Sequence, residues 1–137
     1  MTLIGIDAGP IHFVARLEEI LAPRTCELFR KLLPYQESLI HVRWSGEGCW
    51  IPLGNQQIDL PWENQTSYPA AGQFIFYPGG ISETEILLAY GSVCFASKMG
   101  QLVGNHFLTI TEGQALLPEL GRLTLRQGAQ PIKFSYA

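Results

Sequence analysis

Residues 22–32 read Ala22-Pro-Arg-Thr-Cys-Glu-Leu-Phe-Arg-Lys-Leu32, and this stretch predicts a helix. Pro23 suits the first helical position, where its missing N–H would have no intrahelical partner in any case. Phe29 and the neighbouring leucines recur at helical spacing and form one apolar stripe. Because Pro34 cannot continue the helix, the sequence predicts a helix over 23–33.

The residues directly before this helix have the two-residue period of a strand. Within residues 11–18, Ile11, Phe13, Ala15 and Leu17 fall on one face, and mostly polar residues fall on the other. Side chains of a strand point alternately to its two faces, so one face of this strand is expected to be buried. Strand and helix therefore form one unit, and that unit indicates a particular fold.

The rest of the chain predicts many short strands separated by turn signals. A short helical turn is expected at 116–120, after which strands resume. Short strands with frequent turns and few helices are typical of a closed, mainly antiparallel β-barrel, which leaves no exposed sheet edge. The predicted strands begin near Leu3 and then cover 11–18, 38–44, 51–53, 74–77, 86–90, 93–96, 102–111, 123–126 and 132–136.

Composition limits the classes of function. The 137 residues suit one domain, with 47% hydrophobic and 15% charged residues and a net charge of −3. This balance argues against nucleic-acid binding, and no apolar run is long enough for a membrane span. A weakly charged surface favours a homo-oligomer. No secretion signal is recognised, so we expect a cytoplasmic protein.

Two sets of residues carry a resemblance to known families. The segment Pro23-Arg24-Thr25-x-Glu27-x-Phe29-Arg30-x-Leu32 resembles the first helix of cyclophilins. Most of residues 10–137 resembles a bacterial family of cyclophilin-like proteins known only as a domain of unknown function. The resemblance implies a cyclophilin-like barrel with no assigned activity. It depends on the segments Glu63–Pro69, Tyr77–Ile86, Phe95–Lys98 and Gly104–Phe107.

His106 is the first candidate for a catalytic role. It has the parity of Leu108 and Ile110, so an inward position near the mouth of the barrel is expected. A histidine there could orient a carbonyl or carboxylate group and change charge near neutral pH. The segment Leu102-Val-Gly-Asn-His106 is also similar to one that lines the cyclophilin substrate groove. The alternative is a buried histidine bonded to a backbone carbonyl.

Arg43 is the second candidate, and the resemblance implies its role. Cyclophilins carry an arginine after the strand that follows the first helix, where it stabilises the twisted prolyl amide. The guanidinium suits this role because it stays charged and donates several hydrogen bonds. The continuation typical of cyclophilins is replaced here by Trp44-Ser-Gly-Glu-Gly-Cys-Trp50. The alternative for Arg43 is an ordinary surface position.

Glu83 and Glu85 form a third candidate group, in which Glu83 is taken as catalytic and Glu85 as ligand-binding. Two carboxylates two residues apart on a strand share a face and could divide acid and base roles. The alternative places both on the solvent face. A metal site would need His106 or Glu63 in addition, and the three scattered cysteines form no metal-ligand pair. No metal or cofactor is expected.

The polar loop 63–66 completes the expected pocket, together with Tyr77. Amide side chains donate and accept hydrogen bonds, so they can bind amides, carboxylates or sugars. The alternative is that Asn64 and Thr66 cap turns. The residues of this group expected to bind the ligand are Glu63, Asn64, Gln65, Thr66 and Tyr77.

Three hypotheses on function remain open from the sequence. The first is a barrel that binds a small polar molecule or short peptide in a pocket at one barrel end. The second is a peptidyl-prolyl cis-trans isomerase of reduced or altered activity, which would use Arg43. The third is a hydrolase or isomerase of a small amide or acid, which would use His106 with Glu83 or Glu85.

Overall fold

The computed structural model describes all of residues 1–137, which form eleven strands and two α-helices. The strand predictions hold for most of the chain, although strand 38–44 begins and ends three residues earlier and strand 51–53 begins at Gly46. The predicted strands 86–90 and 93–96 are replaced by one continuous strand over 85–93 and a two-residue strand at 96–97. The elements are β1 (Leu3–Ala8), β2 (Ile11–Leu17), α1 (Pro23–Leu32), β3 (Tyr35–His41), β4 (Gly46–Pro52), β5 (Gln65–Thr66), β6 (Gln73–Tyr77), β7 (Glu85–Val93), β8 (Ala96–Ser97), β9 (Gly100–Gln101), β10 (Gly104–Glu112), α2 (Leu117–Gln127) and β11 (Gln130–Tyr136).

Eight of the strands close into an antiparallel barrel. They follow the order β2-β1-β11-β3-β4-β7-β6-β10, and a further pairing of β10 with β2 closes the ring. The two-residue strand β5 adds to β10, and β8 and β9 form a separate hairpin. Closure gives every long strand two neighbours, so no long edge is left unpaired. The predicted mainly β, closed barrel is confirmed.

The interior of the barrel is filled by apolar side chains from all eight of these strands. Helix α1 packs Phe29 against this core, with its ring centroid 5.0 Å from that of Phe107 and 5.1 Å from that of Phe134. The bounds of α1 confirm the predicted helix to within one residue, and Pro23 begins it. Its single apolar stripe explains why the helix lies across the barrel.

The second helix is longer than the sequence indicated. The predicted turn at 116–120 falls almost entirely within α2, and the predicted strand at 123–126 is also part of this eleven-residue helix. Leu117, Leu120 and Thr124 recur at helical spacing and are buried on one face. That spacing, rather than the local β propensity of 123–126, determines the structure because it buries the apolar face against the sheet.

Gly121 of α2 lies directly against the ring of Tyr90. A Cβ at position 121 would come within 2.3–2.5 Å of three Tyr90 ring atoms. We expect Gly121→Ala to destabilise the protein by about 2 kcal/mol, because overpacking outweighs the roughly 1 kcal/mol gained in helix propensity. Urea unfolding measures this difference.

The control for this prediction is Gly5→Ala in β1. A Cβ at Gly5 would meet its nearest neighbours at 3.6–3.9 Å, which is ordinary contact. This variant should retain the stability of the parent protein. A Gly121→Ala variant as stable as the Gly5→Ala variant would contradict the close packing of α2 on Tyr90.

A second, smaller apolar cluster covers the outer face of the barrel. It includes Leu87 and Ala89 of β7, which point away from the interior, while Ile86 and Leu88 point into it. The segment from Phe95 to Leu102, which carries the β8–β9 hairpin, folds over this outer face. The outer face of the barrel is therefore covered in this region, and a cavity can form at the border of the covering segment. Neither helix combines the length and hydropathy needed to cross a bilayer.

Candidate functional site

A cavity of about 340 Å³, which we call the Glu85 cavity, opens on the outer face of the barrel. Its walls are the end of β3 and the loop after it, Trp50 of β4, the β6–β7 connection and the hairpin at 96–98. Glu85 pairs with Pro52 and Tyr77 and shares the outward face of β7 with Leu87. This cavity therefore lies at the side wall of the barrel, whereas the sequence predicted a pocket at one barrel end.

Glu85 is the buried ionisable group of this cavity. Its side chain is 7% exposed and forms no hydrogen bond or ion pair with the protein, although it lines the cavity. Burial raises the pKa of Glu85 to about 8, and the nearby Glu83 carboxylate acts in the same direction. Glu85 is therefore mostly protonated at neutral pH and can donate a hydrogen bond into the cavity.

Two cations, Arg43 and Lys98, line the same cavity without an ion-pair partner. Both side chains are exposed, as the surface alternative for Arg43 predicted, and Arg24, Arg126 and Lys133 likewise have no ion-pair partner, whereas Arg30 and Arg122 each contact a glutamate. Arg43 and Lys98 form no such contact, even though Glu83 lines the cavity with them. Their charges are therefore available to an anion that enters it.

Aromatic side chains form the apolar part of the cavity. Trp44 is 57% exposed and Trp50 is partly buried. His41 is held in place, since its Nδ1 lies 2.8 Å from the Val42 carbonyl oxygen and its Nε2 lies 2.7 Å from the Tyr90 hydroxyl. The Nδ1–H then donates to Val42, and Nε2 accepts from Tyr90. The cavity can thus hold a flat apolar group beside its charges.

The structure brings together three of the predicted site residues, Arg43, Glu83 and Glu85. The solvent-face alternative is wrong for Glu85, which is buried, while Glu83 is exposed and still lines the cavity. Sequence reasoning missed Lys98 and the tryptophans as site residues. Lys98 could have been recognised as a candidate from the sequence, because it is one of only five charged residues between Gly54 and Thr111.

His106 lies apart from the Glu85 cavity. A β-bulge between His106 and Leu108 adds one residue to β10, so these two residues face opposite sides of the sheet. His106 pairs with Ile75 of the outer cluster, whereas Leu108 pairs with Phe74 of the core. The expected inward position of His106 is therefore wrong.

The imidazole of His106 is bonded to side chains on both sides. Its Nε2 lies 2.7 Å from Thr109 Oγ1, and the Thr109 hydroxyl in turn donates to Glu18. Asn64 Nδ2 lies 3.3 Å from His106 Nδ1. Burial lowers the pKa of His106, and Glu18 opposes this effect. These two side chains use both ring nitrogens of the neutral imidazole, and a backbone contact with Leu108 also acts to raise the pKa.

Glu63 binds the beginning of helix α1. Its Oε2 accepts hydrogen bonds from Thr25 N at 2.7 Å and Thr25 Oγ1 at 2.8 Å. Fully buried Asn105 connects this contact to the rest of the loop, since its Oδ1 accepts from Glu63 N at 3.1 Å. A carboxylate suits the positive end of a helix dipole. Glu63 therefore holds the loop onto α1 and does not line the Glu85 cavity.

The rest of the expected group around loop 63–66 is also outside the Glu85 cavity, namely Asn64, Gln65, Thr66 and Tyr77. Thr66 Oγ1 accepts a hydrogen bond from Tyr68 N at 2.9 Å, as the turn-capping alternative predicted. Gln65 pairs with Asn105 at the sheet edge and is exposed. The Tyr77 hydroxyl accepts hydrogen bonds from Ile81 N and Ser82 N, at 3.1 and 3.2 Å. Tyr77 thus supports the loop that borders the cavity.

No group of three or more His, Cys, Asp or Glu side chains is arranged to hold a metal ion. The Glu85 cavity contributes only two carboxylates, Glu83 and Glu85. Its chemistry is therefore that of two cations, one buried protonated carboxyl group, one exposed carboxylate and an apolar wall. Such a set can bind an organic anion and can exchange a proton with it.

Comparisons with known proteins give a family and two structures of similar fold. The family model with the description "Protein of unknown function (DUF3830)" matches residues 4–136. The structure of McbB in complex with tryptophan is similar at a TM-score of 0.76 and 17% identity, over 96% of this chain. The chain spans only 44% of the McbB chain. The hypothetical protein AF2241 from Archaeoglobus fulgidus is similar at a TM-score of 0.65 and 15% identity, over 99% of this chain and 95% of that one.

No curated protein sequence matches the chain. At 15–17% identity, the two structural similarities demonstrate a shared fold and no more.

Proposed function

The chain belongs to DUF3830, a family of proteins of unknown function. We propose that it binds a small organic acid in the Glu85 cavity. The ligand would be a carboxylate with a flat apolar part. The observation that carries this proposal is the pair of unpaired cations, Arg43 and Lys98, in one cavity with a buried carboxyl group that has no partner in the protein.

Each part of the ligand has a counterpart in the cavity. Arg43 can bind a carboxylate through two parallel hydrogen bonds, and Lys98 adds a second positive charge. Protonated Glu85 can donate a further hydrogen bond, whereas ionised Glu85 would repel the anion. Trp44 and Trp50 line the cavity and can contact the apolar part. A volume of about 340 Å³ is within the range of small-molecule sites.

Two likenesses add support to the proposal. The first is the sequence resemblance to cyclophilins, which implies a ligand-binding arginine at the place of Arg43. The similar structure of McbB contains tryptophan, which is an aromatic acid. That ligand belongs to McbB, and here it motivates the choice of indole acids as probes.

Calorimetry with indole-3-propionate and a panel of aromatic and aliphatic acids tests the proposal at pH 6.5. We expect Arg43→Ala to weaken binding roughly 10- to 100-fold, which is the range for a lost charge-assisted hydrogen bond. Arg24→Ala is the matched control, since Arg24 is an exposed arginine outside the cavity. Binding should also weaken as the pH rises through about 8, where Glu85 ionises. An Arg43→Ala variant with the affinity of the Arg24→Ala variant would contradict the proposal.

Proton transfer on the same acid is a second candidate function. It is favoured by the two carboxyl groups of the cavity, because Glu85 is protonated at neutral pH while Glu83 is exposed. Such a pair can donate and accept a proton in one isomerisation step. Loss of hydrogen-to-deuterium exchange at the carbon next to the carboxylate in Glu85→Gln, with binding retained, would support it.

A further inference from the structure

A second cavity of about 150 Å³ borders the Glu85 cavity, and we call it the amide cavity. It lies between the loop after β4 and the β6–β7 connection. Ser82 lines both cavities, so they are adjacent at this residue. Its other lining residues are Gly54, Asn55, Gln56, Gln57, Gly79, Gly80 and Thr84.

The amide cavity differs from its neighbour in chemistry. Every residue that lines it is uncharged and none is hydrophobic. The side-chain amides of the exposed residues Asn55, Gln56 and Gln57 form no hydrogen bond within the protein, whereas the Thr84 hydroxyl donates to the Gln56 carbonyl oxygen. Free amides both donate and accept hydrogen bonds. A charged group would find no counter-ion here, but an uncharged polar group would find several partners.

The walls of the amide cavity are held by contacts within the backbone. Gly79 has φ 96°, and a Cβ there would lie 2.6 Å from Thr84 Oγ1, so only glycine fits. Thr84 N donates to the Gly54 carbonyl oxygen at 3.0 Å, and Ile58 N donates to the Pro78 carbonyl oxygen at 3.2 Å. Both loops are thus fixed before a ligand arrives, which lowers the entropic cost of binding.

We propose that the amide cavity is a subsite for an uncharged hydrogen-bonding arm, such as a carboxamide, on the acid that occupies the Glu85 cavity. This inference depends on the proposed function. The acid and its apolar part bind beside Arg43 and the tryptophans, and the arm passes Ser82 to reach the free amides. The ligand class is then an N-acylated or otherwise amide-bearing aromatic acid rather than a simple one.

A matched pair of probes tests this subsite. Indole-3-propionate and N-acetyltryptophan share the acid and the ring, and only N-acetyltryptophan has a neutral amide arm. We expect N-acetyltryptophan to bind about tenfold more tightly, the effect of one or two neutral hydrogen bonds. In the variant Asn55→Ala/Gln57→Ala, this preference should disappear while the affinity for indole-3-propionate stays unchanged. Gln36→Ala, at an exposed glutamine of β3, should retain the preference.

The outcomes separate this inference from the proposed function. Equal affinity of the parent protein for the two probes would overturn the subsite alone, as would a preference that survives in Asn55→Ala/Gln57→Ala. Failure of both probes and of the acid panel to bind would overturn the proposed function and the subsite with it. A circular dichroism spectrum identical to that of the parent protein confirms that the double variant is folded.

Discussion

Replacing Glu85 by Gln is expected to stabilise the protein by roughly 3–5 kcal/mol at pH 8–9 and to have little effect at pH 5. Glu85 is buried, has no partner in the protein and lines its cavity with Glu83. Burial raises its pKa from 4.5 to about 8. An ionised carboxylate at this position is therefore costly, and an amide of the same shape cannot ionise.

The sign of the effect follows from proton binding. Below pH 4.5 both the folded and the unfolded chain hold the Glu85 proton, so this group makes no difference to stability. Between about pH 4.5 and 8 the unfolded chain releases the proton and the folded chain keeps it. The folded state binds more protons in this window, so its stability falls as the pH rises and levels off above about 8. The amide introduced by Glu85→Gln takes no part in this equilibrium.

Urea unfolding of the parent protein and of Glu85→Gln at pH 5, 7 and 9 measures the effect. The difference in unfolding free energy should grow with pH. Glu83→Gln is the matched control, since Glu83 is exposed in the same cavity and should change stability only slightly. Parallel pH profiles for the parent protein and Glu85→Gln would show that Glu85 is not buried as described. The persistence of a destabilising carboxyl group is typical of a functional site.

Replacing Asn105 by Ala is expected to destabilise the protein by about 2–4 kcal/mol, because it leaves buried polar groups without partners. Asn105 is fully buried. Its Oδ1 accepts from Glu63 N at 3.1 Å, and its Nδ2 donates to Thr25 Oγ1 at 3.1 Å and to the Pro61 carbonyl oxygen at 2.9 Å. One side chain thus joins β10, the loop at 61–66 and the first turn of α1.

Thermal and urea unfolding measure the loss in Asn105→Ala, with Asn55→Ala as the control at an exposed asparagine. The affinity for acids in the Glu85 cavity should remain that of the parent protein, since Asn105 does not line it. A loss below about 1 kcal/mol would mean that the loop at 61–66 is not held through Asn105. A large loss of affinity would mean that this loop belongs to the binding site after all.

The polar loop at 63–66 was expected to bind the ligand, and the structure places it outside the Glu85 cavity. Its amide-rich sequence predicted recognition, yet Glu63 binds the first turn of α1 and Thr66 caps a turn. Polar residues that serve a helix terminus and those that serve a ligand are of the same types. Sequence reasoning could not separate the two roles, because the difference depends on contacts across 38 residues of chain between Thr25 and Glu63.

Most of the strands, helix α1 and the mainly β, closed barrel could be predicted from the sequence alone, whereas α2 was taken in part for a strand at 123–126. These features depend on the local periodicity of apolar residues and on proline and glycine at turns and helix ends. Each such pattern extends over about a dozen residues or fewer. The sequence also identified Arg43, Glu83 and Glu85 as candidate site residues, all of which line one cavity.

Which polar residues come into contact depends on the tertiary structure. A single bulge in β10 reversed the side of the sheet on which His106 lies, because one extra residue inverts a two-residue period. The β8–β9 hairpin covers an outer face of the barrel, and this brings Lys98 to the cavity that Trp50 of β4 and Glu85 of β7 also line. These contacts are between segments that lie far apart in the chain, so no local sequence pattern predicts them.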